Sequence, residues 1–212
     1  MGQVILLTQQ KGGAGKTTLL TSLAAFMAGR GQRVRLLDLD PQRSALDWSL
    51  ARPAALPKIE AIESAEWRAR SDIQDAAKGA DWTFVDAPGS ADSLGRSAMR
   101  AADFALVPCQ PSAADVWATR ATLHHLGEIG IPHGVVMNRV PPRGRVAEAA
   151  IAEAATLGAP VIDVRIGARS AFAEAFMTGR GVSELRRAGR AVEEIAALAD
   201  ALAAQVGATA PA

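Results

Sequence analysis

Short apolar runs alternate with amphipathic stretches along the whole chain of 212 residues. The runs are rich in Val, Ile, Leu and Phe and are bounded by Gly, Pro or Asp. They cover residues 3–8, 33–39, 82–86, 104–108, 134–138 and 160–164. Nearly continuous apolar runs are typical of strands that are covered on both faces, as in a parallel sheet. We therefore predict six strands in one such sheet.

The stretches between these runs have the apolar spacing of helices. In the first, Leu20, Leu23 and Met27 recur at intervals of three and four residues, and the glycines at 29 and 31 end the pattern. The predicted helices cover residues 16–29, 44–51, 64–78, 92–101, 113–129, 145–156, 169–178 and 183–205. Strand–helix alternation over the whole chain predicts an α/β fold, with a doubly wound, mostly parallel sheet and helices on both faces.

The composition agrees with one globular domain. Hydrophobic residues make up 49% of the chain and charged residues 21%, and the length is too short for two full domains. No apolar run approaches the roughly 20 residues that a membrane span needs, and the first residues lack the features of a signal peptide. We expect a single domain over residues 1–206, a frayed tail over residues 207–212, and a cytoplasmic location.

Cysteine and histidine usage excludes two kinds of site. Cys109 is the only cysteine, so the chain has neither a disulfide framework nor a thiolate metal cluster. Its position near a predicted strand end favours a small buried side chain over a reactive thiol. The three histidines have no acidic or cysteine neighbours at metal-ligand spacing, and we assign them no role.

The segment "QQKGGAGKTT", residues 9–18, lies between the first predicted strand and the first predicted helix. Its glycines allow backbone N–H groups to approach phosphate oxygens, and the N-terminus of the helix adds a positive dipole end. Lys16 would reach the β- and γ-phosphates of a nucleotide, and the Thr17 hydroxyl would hold Mg²⁺. The predicted nucleotide contacts are Gly12, Gly13, Ala14, Gly15, Lys16, Thr17 and Thr18.

The same segment departs from the ordinary phosphate-loop pattern G-x-x-x-x-G-K-[ST] at two positions. Gln10 stands where the first glycine is expected, and Lys11 adds a second lysine five residues before Lys16. The residues alone leave open whether this is a damaged loop, a chance cluster of Gly and Lys, or a loop with an additional task.

Polar side chains stand at the carboxyl ends of three other predicted strands. Asp38 and Asp40, in "LLDLDPQ", face the same side because alternate residues of a strand share a face. Asp86, in "WTFVDAPGS", is placed like a Walker-B acid, which holds Mg²⁺ directly or through water. The amide of Asn138, in "GVVMNRV", would read the edge of a purine. Ligands bind at this edge of an open α/β sheet, so we expect these residues beside the loop.

In chain order, "KGGAGKTT", "DLDPQ", "DAPG", "PCQPS" and "MNR" resemble the motifs of the ParA/MinD family of P-loop ATPases, which have a deviant Walker A motif. The motifs lie within residues 3–140, and the chain length is similar to that of small plasmid-type ParA proteins. The set is specific to the family but not to a cargo. The resemblance implies a P-loop fold, ATP and Mg²⁺ as cofactors, and hydrolysis of ATP to ADP and phosphate.

The resemblance also implies a catalytic role for three residues. Lys11 would be the signature lysine, which reaches across a nucleotide-sandwich homodimer to the partner's phosphates, while Lys16 would serve the nucleotide of its own chain. Asp40 would orient the attacking water. The implied residues near the metal are Thr17, Asp38 and Asp86, and the implied adenine contact is Asn138.

Arginines are concentrated late in the chain. Between residues 139 and 190 there are nine arginines and five acids, although the net charge of the chain is only +1. The excess favours an anionic partner, and a solvated arginine-rich surface explains it equally well. The resemblance implies that ATP-bound dimers bind DNA nonspecifically on the nucleoid, and that a ParB-like or other adaptor protein stimulates hydrolysis. The candidate DNA contacts are Arg165, Arg169, Arg186, Arg187 and Arg190.

These observations favour a ParA-type ATPase that partitions or positions a plasmid, a chromosome region or a protein cluster. One alternative is a MinD-like membrane-associated ATPase. It is disfavoured, and no membrane partner is expected, because the chain has acids but no Lys or Arg after Arg190. Another alternative is a metabolic ATP-dependent synthetase with the same P-loop fold, which would need a substrate pocket and usually a longer chain.

Overall fold

The core of the molecule is a seven-stranded parallel β-sheet. The computed structural model describes residues 2–64, 66–88 and 93–209. The strands are β1 Gln3–Leu7, β2 Val34–Asp38, β3 Glu60–Glu63, β4 Trp82–Asp86, β5 Phe104–Cys109, β6 His133–Val140 and β7 Val161–Gly167. Their order across the sheet is β3-β2-β4-β1-β5-β6-β7, and every neighbouring pair is parallel. The doubly wound sheet predicted from the sequence is confirmed.

Helices cover both faces of this sheet. In the described residues they are α1 Lys16–Gly29, α2 Ser44–Leu50, α3 Ala69–Lys78, α4 Ser93–Ala101, α5 Ala113–Ile129, α6 Arg145–Ala154, α7 Ser170–Met177 and α8 Arg190–Thr209. One hydrophobic core joins α1, α2, α7 and α8 to the first face of the sheet, and a second joins α3, α4, α5 and α6 to the opposite face.

The central strand β1 shows why the apolar runs are nearly continuous. Ile5 and Leu7 belong to the first core, whereas Val4 and Leu6 belong to the second. All four are buried, because successive side chains of a strand point to opposite faces and both faces are covered. Apolar residues are therefore needed at these four positions of the strand.

One strand is absent from the sequence prediction. The segment Glu60–Glu63 reads "EAIE" and forms β3, which pairs only with β2 at the edge of the sheet. Its two glutamates are exposed, as is usual at an edge, so the segment lacks the apolar run that identified the other strands.

Two helices begin later than predicted. The segment Glu66–Arg68 is a 3₁₀ turn that precedes α3, and Val182–Glu184 is a second 3₁₀ turn that is separate from α8. Gly189, with a φ of 52°, lies immediately before Arg190, where α8 begins. The last helix continues to Thr209, so part of the segment expected to fray is helical, and residues 210–212 lie outside the described residues. Across the described ranges, no helix is long and apolar enough to cross a membrane.

Candidate functional site

The loop between β1 and α1 has the backbone of an anion-binding turn. Gly13 and Gly15 have φ angles of 79° and 89°, in the left-handed region that favours glycine. Gly15 is the N-cap of α1, and Lys16 is its first residue. The free N–H groups at the start of this helix therefore face the loop.

Side chains at the ends of β5 and β6 hold the carbonyl groups of this loop. Gly13 O accepts hydrogen bonds from Gln110 Nε2 (2.7 Å) and from Arg139 Nη1 (3.2 Å). Ala14 O accepts one from Asn138 Nδ2 (2.8 Å). These three hydrogen bonds fix the carbonyl groups of Gly13 and Ala14 in place. Sequence reasoning missed Gln110 and Arg139, although "PCQPS" and "MNR" place both at strand ends.

Thr17 and Asp86 meet directly beneath the loop. Thr17 Oγ1 donates a 2.6 Å hydrogen bond to Asp86 Oδ2, and no described residue bonds to Asp86 Oδ1, which is buried. Burial raises the pKa of Asp86 to about 7, and the hydrogen bond from Thr17 opposes this shift. A buried carboxylate oxygen without a partner, beside a hydroxyl, fits a hard divalent cation with oxygen ligands such as Mg²⁺.

Asp38 connects the end of β2 to α2. Its Oδ2 accepts hydrogen bonds from the backbone N–H groups of Ala45 (2.9 Å) and Leu46 (3.0 Å), and its Oδ1 accepts one from Asp40 (3.0 Å). Burial raises the pKa of Asp38 above its ordinary value. Asp38 lies opposite Asp86 on the neighbouring strand, as expected, and it also braces the backbone of the segment that follows it.

Two adjoining pockets surround the loop. The loop pocket has a volume of about 610 Å³. It is lined by Asp40 and by all the predicted nucleotide contacts of the loop except Ala14, which is buried. The side pocket, of about 410 Å³, is lined by Asn138 together with the apolar side chains of Leu19 and Phe172. The two pockets share Gly15, Thr18 and Arg139. The first suits a chain of phosphates, and the second suits a flat base.

Lys11 pairs with α5 and does not line either pocket. Its Nζ lies 2.5 Å from Asp115 Oδ2, in the first turn of α5, and Ser112 Oγ also donates to that carboxylate oxygen. Lys11 is absent from the described residues that line the two pockets, and 39% of its side chain is exposed. The second lysine of the loop is thus held at the surface by its own chain.

A buried polar network anchors the start of the loop to α5. Gln9 Nε2 donates to Thr119 Oγ1 (2.8 Å), and Gln9 Oε1 accepts from Thr122 Oγ1 (3.0 Å). Sequence reasoning missed this network and Asp115. The available signal was the spacing of Asp115, Thr119 and Thr122, which places three polar residues on one face of the helix.

The candidate DNA-binding arginines fall into two groups. Arg165 Nη1 lies 3.0 Å from Glu148, and Arg169 Nη2 lies 2.5 Å from Glu194, which raises the pKa of Arg169. The other three are exposed, and within the described residues none forms an ion pair. They are Arg186, Arg187 and Arg190.

The loop, the acids at the strand ends and the two pockets agree with the result of a family comparison. The model of the CobQ/CobB/MinD/ParA nucleotide binding domain matches residues 5–182. The chain belongs to this family. The ParA/MinD resemblance drawn from the motifs is thereby confirmed.

Relatives and solved structures extend this result. The chain is 30% identical over 193 residues to maintenance of carboxysome distribution protein A of Halothiobacillus neapolitanus, covering 87% of this chain and 89% of the relative. It is 27% identical over 196 residues to ParA of Rhizobium radiobacter, covering 86% of each.

Among solved structures, an ATP complex of a Cyanothece McdA variant has a TM-score of 0.82 at 17% identity, covering 95% of this chain and 96% of that one. The Pyrococcus horikoshii septum site-determining protein MinD with Mg-ADP has a TM-score of 0.79 at 17% identity, with full coverage of both chains. At these identities the structural likeness shows the α/β P-loop fold alone.

Proposed function

We propose that this protein is a ParA-type ATPase that partitions or positions a cargo. One observation carries the proposal: a phosphate-binding loop, an unpartnered buried carboxylate oxygen and Asp40 converge at one edge of the sheet. The names of the relatives support the cargo class, since one maintains carboxysome distribution and another is a ParA protein. Plasmids, chromosome regions and protein clusters are the candidate cargoes.

Hydrolysis is assigned to the residues of the loop pocket. Lys16 and the N–H groups of the loop bind the β- and γ-phosphates, and Asp40 orients the attacking water. Thr17 and Asp86 hold Mg²⁺, which neutralises charge on the phosphate oxygens when it is bound. Asn138, in the wall of the side pocket, is assigned to the adenine ring.

The position of Lys11 supports an ATP-dependent homodimer. A lysine that lies outside the pockets of its own chain and is 39% exposed can serve the nucleotide of a second copy once it leaves Asp115. Such a cation acts electrostatically, in the way that an arginine finger acts in GTPases. We assign acceleration of this step to a ParB-like or other adaptor protein.

DNA binding is assigned to Arg186, Arg187 and Arg190. Nonspecific binding needs cations that can reach backbone phosphates, and these three are exposed and free of ion pairs within the described residues. Arg165 and Arg169 would first have to leave their glutamates, so they are assigned a smaller part. A nucleoid-associated location in the cytoplasm follows from this assignment.

Co-sedimentation tests the proposal against its two alternatives. With ATP, the protein should sediment with plasmid DNA and not with anionic liposomes. It should also release phosphate without any small-molecule acceptor, and Lys16→Ala should lose nucleotide binding and both activities. Sedimentation with liposomes alone would favour a MinD-like membrane ATPase. Phosphate release that requires an acceptor would favour a synthetase.

A further inference from the structure

The turn between β2 and α2 presents Asp40 to the loop pocket. Asp40 lines this pocket, and the N–H group of Gln42 donates a 2.9 Å hydrogen bond to Asp40 Oδ1. The N–H group of Arg43 donates to the main-chain carbonyl oxygen of Asp40 (2.9 Å), and the N–H group of Asp40 donates to Asp38 Oδ1 (3.0 Å). The direction of the Asp40 side chain therefore depends on the backbone conformation of residues 40–43.

Arg43 closes this turn in a conformation that its own backbone disfavours. Its φ of 55° and ψ of 28° lie in the left-handed region, and the only other described non-glycine residue with a positive φ is Arg139. This region is disfavoured about tenfold for a residue with a Cβ atom, whereas glycine enters it freely. Arg43 is the N-cap of α2, and its side chain makes no capping hydrogen bond. Strain of this kind persists only where the surrounding structure holds the residue in place.

The side chain of Arg43 is held by the last residue of the edge strand β3. Arg43 Nη2 lies 2.9 Å from Glu63 Oε2, and Glu63 lies opposite Asp38 in the register of β3 and β2. Both side chains of this ion pair are about half exposed, and both line a small pocket of about 290 Å³ that Asp38 and Asp40 also line. The Arg43–Glu63 pair therefore ties the end of the turn to β3, beside the two acids.

The strain at Arg43 and the stabilisation from its ion pair are of similar size. An exposed ion pair shifts an equilibrium by up to about fivefold, which offsets most of the roughly tenfold cost of the left-handed backbone. Loss of the pair would leave this cost without compensation, so the hydrogen bond from residue 43 to the Asp40 carbonyl would open more often. A displaced Asp40 would slow the chemical step and leave phosphate binding by the loop unchanged.

We propose that Arg43 is a positioning residue for Asp40, and that its ion pair with Glu63 holds the turn in the conformation that hydrolysis needs. The proposal rests on the proposed function, because it assumes that Asp40 orients the attacking water. It assigns the effect to the backbone of residue 43 and not to a contact of its guanidinium group with the nucleotide, since Arg43 is not among the described residues that line the loop pocket or the side pocket.

Two substitutions at residue 43 separate the backbone from the guanidinium group. Arg43→Ala and Arg43→Gly both remove the ion pair, but only the alanine variant retains the strain. We expect kcat for ATP hydrolysis to fall about fivefold in Arg43→Ala at unchanged KM, and to recover to within about twofold of the wild type in Arg43→Gly. Glu63→Gln keeps the strained Arg43 and removes the charge of its partner, so its kcat should also fall while KM stays constant.

Amide hydrogen exchange in nucleotide-free protein gives a second readout that does not depend on activity. The N–H groups of Gln42 and of residue 43 both donate to Asp40. After correction for intrinsic rates, they should exchange about fivefold faster in Arg43→Ala than in the wild type, because the turn opens more often. Arg43→Gly should keep the wild-type protection.

The matched control is Glu60→Gln. It removes another exposed ion pair of β3, in which Arg35 Nε lies 3.0 Å from Glu60 Oε2, at the opposite end of the strand from Glu63. This variant should keep the wild-type kcat and the wild-type exchange rates. Thermal melting would establish that each variant is folded, and Glu63→Gln carries the test with Arg43→Gly if Arg43→Ala does not fold.

The outcomes separate this inference from the proposed function. Hydrolysis at the wild-type rate in Asp40→Ala would overturn the role of Asp40 and the inference with it. A large loss in Asp40→Ala, together with equal kcat values in Arg43→Ala and Arg43→Gly, would overturn the inference alone. If both values were low, Arg43 would act through its charge, and if both were normal, it would have no part in hydrolysis.

Discussion

Asp86 shows at the scale of one residue how a binding site weakens the protein that contains it. Its side chain is buried, and its pKa is raised to about 7 from the ordinary 3.8 because burial disfavours the charged form. Between these two values the folded chain keeps a proton that the unfolded chain has released. The contribution of Asp86 therefore lowers the free energy of unfolding as the pH rises from about 4 to about 7.

We predict that Asp86→Asn removes this pH dependence in protein freed of Mg²⁺ and nucleotide. Urea denaturation at about pH 5 and about pH 6 gives the change in unfolding free energy per pH unit. This slope should differ between the wild type and Asp86→Asn by about 1.4 kcal/mol per unit, because asparagine does not titrate. The exposed Asp200→Asn variant should follow the wild-type slope. Parallel slopes for wild type and Asp86→Asn would show that Asp86 is ionised throughout this range.

The two loop lysines are predicted to separate nucleotide binding from dimerisation. Lys11→Ala should bind ATP like the wild type, because Lys11 lies outside the pockets of its own chain, but light scattering should detect no ATP-dependent dimer. Its hydrolysis should fall about a hundredfold, as expected when one charge-stabilising group is lost. Asp115→Asn keeps Lys11 and should still dimerise. A dimer of normal stability in Lys11→Ala would refute the role in trans.

At the scale of elements, the sequence predicted the strands that are buried on both faces of the sheet. Six of the seven strands have apolar runs, whereas β3 has an exposed glutamate at each end and no comparable pattern. The last predicted helix is present, but its predicted start at residue 183 is wrong for a different reason, since the helix begins at Arg190. Residues 182–184 form a separate 3₁₀ turn, in which Glu184 pairs with Arg52, 132 positions away. Contacts of such long range leave no periodic signal.

The same limit applies to the loop. Its glycines, lysines and nearby acids were recognised because their types and order follow a known pattern. Gln110 and Arg139 were missed because the sequence does not show that their side chains turn back towards Gly13. The choice of Arg165 and Arg169 as DNA contacts likewise took no account of their glutamate partners, which come from other elements.

Gln110 is predicted to position the loop. Gln110→Leu removes the shorter of the two hydrogen bonds to Gly13 O and lets this carbonyl turn towards the phosphates. The KM for ATP should rise about tenfold, corresponding to the loss of roughly one hydrogen bond, while kcat changes little. The matched control is Gln32→Leu, which changes an exposed glutamine remote from the loop. A fall in kcat at constant KM would place Gln110 in the chemical step instead.

At the scale of the whole molecule, any attraction to DNA must be local. The net charge of +1 gives no general attraction to a polyanion, and α8 has no Lys or Arg after Arg190. Three exposed cations without ion pairs among the described residues, Arg186, Arg187 and Arg190, instead lie close together in the chain at the start of α8. If DNA binds to such a local surface, its affinity should depend on the position of each charge and not on the net charge.

Equal changes of charge at two places on the surface should therefore have unequal effects on DNA affinity. Reversing Arg186 and Arg187 to glutamate should abolish DNA binding at low salt. Both are exposed, and together with Arg180 they line an open cleft of about 720 Å³. The control is Arg165→Glu with Arg169→Glu, which changes the net charge equally but affects arginines that already pair with Glu148 and Glu194. Neutralising Arg186 and Arg187 to alanine should lower the slope of log affinity against log salt by about two units, one for each lost phosphate contact. Equal losses in the two reversed variants would mean that net charge alone governs binding and that the cleft has no special part in it.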